Sequence, residues 1–259
     1  MSGEADKSTV LRGLVHLDEV PARPAAAGFC VPPGVRAYAI GDIHGHLSLL
    51  VQLQGLIDAD IAANPDARVV EIYLGDYIDR GPQSAGVIDR LGMKRPHRTI
   101  FLRGNHEDYP ERFLMGHDVL EVWLHNGGVE TLASYGITVG PTTRATALRK
   151  AFAAAFPRPH RAFLSGLKLA YHLGDVFFVH AGIRPGVALE NQAREDLLLI
   201  RREFLHGDPP LPVRVVHGHT PKREPQVTPY RVGVDTGAFA TGRLTCAVLE
   251  GSEVRFLHT

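Results

Sequence analysis

Only two cysteines, Cys30 and Cys246, occur in 259 residues. They can build no disulfide framework and offer no CxxC metal spacing, so a reducing, cytoplasmic setting is expected. An excess of one charge is also missing. Lys+Arg and Asp+Glu each number 28, which argues against the broad basic field of a nucleic-acid or membrane-surface binder. No apolar run approaches the length of a membrane span, and the N-terminus lacks a charged segment leading into an apolar one, so neither anchor nor leader is expected. Internal repeats are absent. What remains is an ordinary globular composition, 44% hydrophobic and 22% charged, on a chain long enough for one large domain. Histidine is the exception, with fourteen.

Residues 1–34 mix charges, prolines and an alanine run without periodicity, and read as an irregular lead-in with a short strand near Leu14. Residues 35–259 read as one domain. A β-like run over Val35–Ile40 ends at Gly41-Asp42-Ile43-His44-Gly45. Apolar residues at helical spacing then predict a helix from Leu47 to Ala63. The strand Val69–Leu74 ends at Gly75-Asp76-Tyr77-Ile78-Asp79-Arg80-Gly81, and a helix from about Pro82 to Leu91 follows. A third strand, Thr99–Leu102, ends at Arg103-Gly104-Asn105-His106-Glu107. Strand, polar turn and helix recur three times, the pattern of βαβ units whose strand exits converge on one edge.

From about 107 to 166 the pattern turns helical, with breaks at Gly127-Gly128, Gly140-Pro141 and Pro157, and predicts an insertion over that edge. A hairpin of Leu167–Tyr171 and Val176–Val179 delivers His180. One helix is expected over Ala193–Phe204, then a strand Val213–Val216 ending at His217-Gly218-His219. The last strands, near Arg231–Val234, Leu244–Leu249 and Val254–Leu257, are expected to complete a second sheet.

Five strand exits thus carry Asp42 and His44, Asp76 with Asp79 and Arg80, Asn105 and His106, His180, and His219. A lone histidine at a strand end is more often structural than a ligand. Five such exits bracketed by glycine are hard to assign to structure alone. Carboxylate, imidazole and amide oxygen without thiolate suit manganese, iron or zinc. A central carboxylate can bridge two cations about 3.5–4 Å apart, and Asp76 is best placed for that. His217 reads as a supporting residue and Glu107 as a helix-start residue near the positive end of the dipole.

The motifs Gly41–Gly45, Gly75–Gly81 and Gly104–Glu107, with His180 and Gly218-His219 in that order, resemble the phosphoprotein phosphatases of the calcineurin-like metallophosphoesterase superfamily, in their bacterial and phage form. The resemblance covers residues 37 to about 250. It implies an α/β, four-layer α-β-β-α sandwich with two mixed sheets. It also implies one metal on Asp42, His44 and Asp76, and a second on Asp76, Asn105, His180 and His219. A metal-bridging hydroxide would attack phosphorus in line, with Arg80 forked onto the phosphoryl oxygens. His106 would be the general acid and Asp79 its partner. A second phosphate-binding arginine is implied on the helix after His180. Arg201 is the choice, with Arg202 and Arg184 open. Pro221 stands where the wider superfamily often has another histidine.

A serine/threonine protein phosphatase with two manganese ions is therefore expected, acting on a phosphoprotein or phosphoester, with no nucleic-acid or membrane partner. The rivals are a symmetrical dinucleoside tetraphosphatase, a broad-specificity or phosphotyrosine phosphatase, a nuclease of the same superfamily, and a non-catalytic metal-binding module.

Overall fold

The computed structural model of the protein describes residues 14–16, 28–206 and 210–259. Two mixed β-sheets pack face to face, and helices cover the outer face of each. The first sheet holds β2 (Val35–Ile40), β3 (Arg68–Tyr73), β4 (Arg98–Phe101), β10 (Thr245–Glu250) and β11 (Glu253–His258), in the order β11-β10-β2-β3-β4. The pairs β2–β3 and β3–β4 are parallel, whereas β10 runs antiparallel to both neighbours. The second sheet holds β1 (Leu14–His16), β5 (Ala170–Leu173), β6 (Val176–Val179), β7 (Arg214–His217), β8 (Gln226–Val227) and β9 (Arg231–Gly233), in the order β1-β5-β6-β7-β9-β8. This is the expected α-β-β-α sandwich.

The period-2 geometry of a strand explains how both faces of β2 are buried. Ala37 and Ala39 point into the core between the sheets, with Ile72, Phe178 and Val216. Tyr38 and Ile40 point outward into a second core, under α1 (Leu47–Ala63) and α2 (Ser84–Gly92). The same alternation sends Phe178 inward and Phe177 outward, beneath α8 (Arg194–Leu199) and α9 (Arg202–Leu205). Each such buried side chain contributes about 1.5–3 kcal/mol, so three cores in series hold the layers together.

Between β4 and β5 lie α3 (Asp108–Leu114), α4 (Leu120–Trp123), α5 (Val129–Ser134), α6 (Ala145–Ala155) and α7 (Arg158–Ser165), with one widened π-turn at Leu124–Gly128. Three expectations need correction. Of the last strands only β9 joins the second sheet; β10 and β11 extend the first beside β2. The run of last strands, expected without helices between them, holds a short one, α10 (Ala238–Thr241), between β9 and β10. The helix expected over Ala193–Phe204 is two helices, broken at Ile200–Arg201. The strand near Leu14 is present and pairs with β5 in parallel; the rest of the lead-in before Gly28 lies outside the described residues. No helix among the described residues is long and apolar enough to cross a membrane.

Candidate active site

The carboxyl ends of β2, β3, β4, β6 and β7 open onto one edge, where crossover connections leave a crevice in α/β sheets. The exits are tied to one another by backbone. Asp76 O accepts the N–H groups of Ile43 and His44 at 3.0 and 2.9 Å, and His180 O accepts Gly218 N–H at 2.8 Å. Among the described residues five that are not glycine have left-handed φ: His44 (46°), Asp76 (51°), Asp79 (69°), Arg80 (66°) and His219 (63°). All five lie at this edge, and such outliers concentrate at functional sites.

Hydrogen bonds fix the imidazoles. His44 Nδ1 and His180 Nδ1 each lie 2.9 Å from a carbonyl, of Ile78 and Leu74, so each donates there and keeps its Nε2 lone pair free. His44 Nε2 stands 3.6 Å from Asp76 Oδ2, and His180 Nε2 stands 3.5 Å from Asp76 Oδ1. Asp76 is thus approached from two sides through separate oxygens. Among the described residues two groups have ligand atoms within 4.8 Å of one another: His44, Asp76 and His106, and Asp76, His180 and His219. Asn105 Oδ1 lies 3.1 Å from His180 Nε2. The Asp42 carboxylate receives His219 N–H at 3.2 and 3.1 Å.

The electrostatics suit divalent cations. Burial pushes His44 down to about 3, and burial with the neighbouring His180 pushes His219 down to about 2. Both therefore stay in the neutral, ligating form. Burial, then the carboxylates of Asp235 and Asp76, raise Asp42 well above the usual range. Burial opposes ionisation of Asp76 too, but His180, His106, His44 and His219 outweigh it and hold the carboxyl far below its ordinary value. Buried carboxylates with neutral imidazoles and no sulfur fit hard or intermediate dications.

His106 Nδ1 lies 2.7 Å from Asp79 Oδ2. Burial lowers its pKa, yet Asp76 and Asp79 together raise it above the ordinary value. Arg80 Nη2 points a donor at His106 Nε2 from 3.3 Å, so the imidazolium and this contact exclude each other. A second proton on the ring therefore requires the guanidinium to turn to another acceptor. Arg80 also stacks on Phe239, 4.4 Å from the ring centroid.

Arg201 sits in the break between α8 and α9, with Nε 3.1 Å from His219 Nε2. Arg184 is instead paired with Asp196 at 2.7 and 2.6 Å, and Arg202 is exposed on α9. Of these three arginines only Arg201 lines the cleft. The cleft is about 210 Å³, walled by Asp76, Arg80, Asn105, His106, Arg201 and His219, with Tyr109, Asn126 and Leu199 completing it. His217 stays outside both clusters, with Nδ1 3.1 Å from Gly218 O and its ring edge-on to Phe204.

Glu107 stands at the start of α3, as expected from sequence, but its side chain is fully buried and makes no capping hydrogen bond to that helix. The carboxylate accepts the N–H groups of Asp76 (2.9 Å), Tyr77 (2.8 Å) and Gly104 (2.8 Å), stitching the second exit to the third. Asp235 was also missed. It follows β9, is buried, and acts electrostatically on Asp42 and Asp76. Its setting, Val234-Asp235-Thr236-Gly237, repeats the strand-exit pattern and was readable on that ground.

Residues 35–246 match the family model described as calcineurin-like phosphoesterase. An asymmetrical bis(5'-nucleosyl)-tetraphosphatase, PrpE, from Anoxybacillus flavithermus is 30% identical over 230 residues, 80% of this chain and 87% of that one. A crystal structure provisionally described as a diadenosine tetraphosphatase superposes with a TM-score of 0.55 at 22% identity, covering 90% of this chain and 98% of that one. The cold-active protein-tyrosine phosphatase of a psychrophilic Shewanella gives 0.54 at 15% identity, covering 89% and 82%. The last two speak for the fold alone.

Proposed function

The chain belongs to the calcineurin-like phosphoesterase family and is a hydrolase of the metallophosphoesterase type, and from that premise we propose a phosphomonoesterase acting on serine and threonine phosphates. The observation that carries the substrate class is the His106–Asp79 contact of 2.7 Å. An alkoxide is a poor leaving group and needs a proton, whereas a nucleotide leaving through its phosphate needs little help.

In this reading Asp42, His44 and Asp76 hold one divalent cation, and Asp76, Asn105, His180 and His219 hold the other. Manganese is the choice, with iron or zinc as alternatives. When bound, the pair supplies an activated water at neutral pH and neutralises charge on the phosphoryl group. Arg80 leaves His106 and forks onto phosphoryl oxygens, a task suited to its planar guanidinium. Arg201 leaves His219 and binds the same group from the opposite wall. His106 delivers the proton on Nε2 to the leaving oxygen, while Asp79 holds Nδ1–H and fixes the ring. Glu107 keeps the Asp76 and His106 loops at a constant separation.

A second reading is hydrolysis of dinucleoside tetraphosphates. It draws on the relatives, whose names specify the asymmetrical cleavage and not the symmetrical one of the rival reading from sequence. One panel separates the readings: phosphoserine, phosphothreonine and phosphotyrosine peptides beside diadenosine tetraphosphate, all with manganese. Higher kcat/KM on the phosphoserine and phosphothreonine peptides is expected. Preference for the dinucleotide, with ATP and AMP as products, overturns the first reading in favour of the second.

A further inference from the structure

From its sequence the insertion 107–166 is expected to shape access to the cleft, but its contacts point to another task. Trp123 ends α4 fully buried, its ring 5.6 Å from Phe113 and 5.5 Å from Phe152. Its indole Nε1–H donates to Asp79 Oδ1 at 2.9 Å. Thr131, on α5, donates its hydroxyl to the same oxygen at 2.6 Å and accepts the Asp79 backbone N–H at 2.9 Å. Between the two residues the chain widens into the π-turn. There Gly127, at φ 97°, offers its carbonyl to Arg80 N–H at 3.1 Å. A Cβ on Gly127 would collide with the Arg80 backbone. π-Turns inside helices often mark functional positions.

Asp79 and Arg80 are consecutive left-handed residues without glycine, a conformation that the surrounding structure must impose. Asp79 takes no support from its own strand: apart from His106, and Gly81 whose N–H reaches the Asp79 carbonyl, its hydrogen-bond partners are Ser84, Thr131 and Trp123. A carboxylate free to rotate could offer either oxygen to His106. Two donors on Oδ1 remove that freedom and leave Oδ2 for the imidazole.

We infer that Trp123 and Thr131 are positioning residues for proton transfer by His106, and that the π-turn segment of the insertion is built to clamp the Asp79–Arg80 pair. The inference rests on the acid role given to His106 above.

Thr131→Val preserves side-chain shape while removing the hydroxyl, and Trp123→Phe keeps a ring in the aromatic stack while removing the N–H. Turnover of the full chain with manganese is compared on a phosphoserine peptide and on p-nitrophenyl phosphate, beside Asp79→Asn. Each of the two variants is expected to lose about tenfold or more on the peptide, a share of the roughly 10²–10⁴-fold that general acid catalysis supplies. The loss on p-nitrophenyl phosphate is expected to be several times smaller, and Thr131→Ser to restore the peptide activity. If Asp79→Asn is selective in this way but Thr131→Val and Trp123→Phe lose both substrates equally, the positioning inference falls and the acid reading stands. If Asp79→Asn itself shows no selectivity, both fall. A readout without turnover is available because Trp123 is the sole tryptophan. Its single indole N–H resonance should move upfield in Asp79→Asn, and an unmoved resonance overturns the contact.

Discussion

The same substitution, glycine to alanine, is expected to act in opposite directions at Gly104 and Gly55. A Cβ on Gly104 would run into the Asp76 carboxylate and the Asp76 backbone nitrogen. The nitrogen is main chain, which cannot step aside as a flexible side chain would, and the carboxylate can do so only by leaving its place in the site. Overpacking of this kind costs about 1–3 kcal/mol, and the upper end applies here. At about 2–4 °C per kcal/mol for a domain of this size, Tm should fall by roughly 6–12 °C. The displaced group is the carboxylate shared by both histidine clusters, so function should suffer more than stability. A misplacement of about 1 Å costs on the order of 10²-fold in turnover. Gly55 lies inside α1 with nothing within 4 Å of its added Cβ. There alanine removes only backbone freedom from the unfolded chain and should stabilise by about 0.5–1 kcal/mol. Thermal unfolding with and without manganese, bound metal by elemental analysis, and turnover of p-nitrophenyl phosphate would be measured on both variants. Gly104→Ala with wild-type Tm and full metal content would refute the claim that close approach of two strand exits positions Asp76.

Three further outcomes are expected. Asp76→Asn should lose most bound manganese and most activity, because both clusters share that side chain; equal metal content and equal turnover would sink the two-metal reading. Arg201→Ala should raise KM for a phosphopeptide by about tenfold or more, the worth of roughly 1.5–3 kcal/mol for a charged hydrogen bond, whereas Arg184→Ala, remote in its pair with Asp196, should not. Manganese affinity should rise with pH. Asp42 is raised well above the ordinary carboxyl range and Asp235 to about 6, so each holds its proton to higher pH and a cation must displace it. His44 and His219, at about 3 and 2, remain neutral over the same interval and add no opposing slope. Calorimetry in buffers of different ionisation enthalpy should detect proton release on binding near pH 6, and an affinity flat from pH 5 to 8 would contradict the assignment.

What could be read from sequence was what has a local cause. The limits of β2 and α1 follow from period 2 giving way to period 3.6, and the structure has them at Val35–Ile40 and Leu47–Ala63. Sheet membership of the last strands was not local. Whether β10 pairs with β2 or with the second sheet depends on residues some 200 positions away, such as Cys246 opposite Ile40, and periodicity says nothing of that. The break at Ile200–Arg201 was missed because Leu197, Ile200 and Phe204 keep helical spacing across it, all packed in the same outer core. The hydrogen bonds of the Glu107 carboxylate escaped for a related reason. Its three partners are backbone N–H groups, which have no sequence signature, and two of them lie 30 and 31 residues away.

The strained backbone at the site explains why these residues can act only together. A left-handed φ costs a non-glycine residue of order 1–3 kcal/mol, so five of them at one edge are a large local debt against a net stability of roughly 5–15 kcal/mol. Each is held by its own N–H, and each partner lies on another segment. His44 donates to Asp76 O, Asp76 to Glu107, Asp79 to Thr131, Arg80 to Gly127 O, and His219 to the Asp42 carboxylate. No exit is therefore strained by its own sequence. Each keeps its conformation because a neighbour holds it, and loosening one relaxes the next. Substitutions on different exits should accordingly fail to add, even where the side chains never touch. Glu107→Ala combined with Thr131→Val supplies the test: a double variant whose loss of turnover equals the product of the single losses would mean that the exits are held independently.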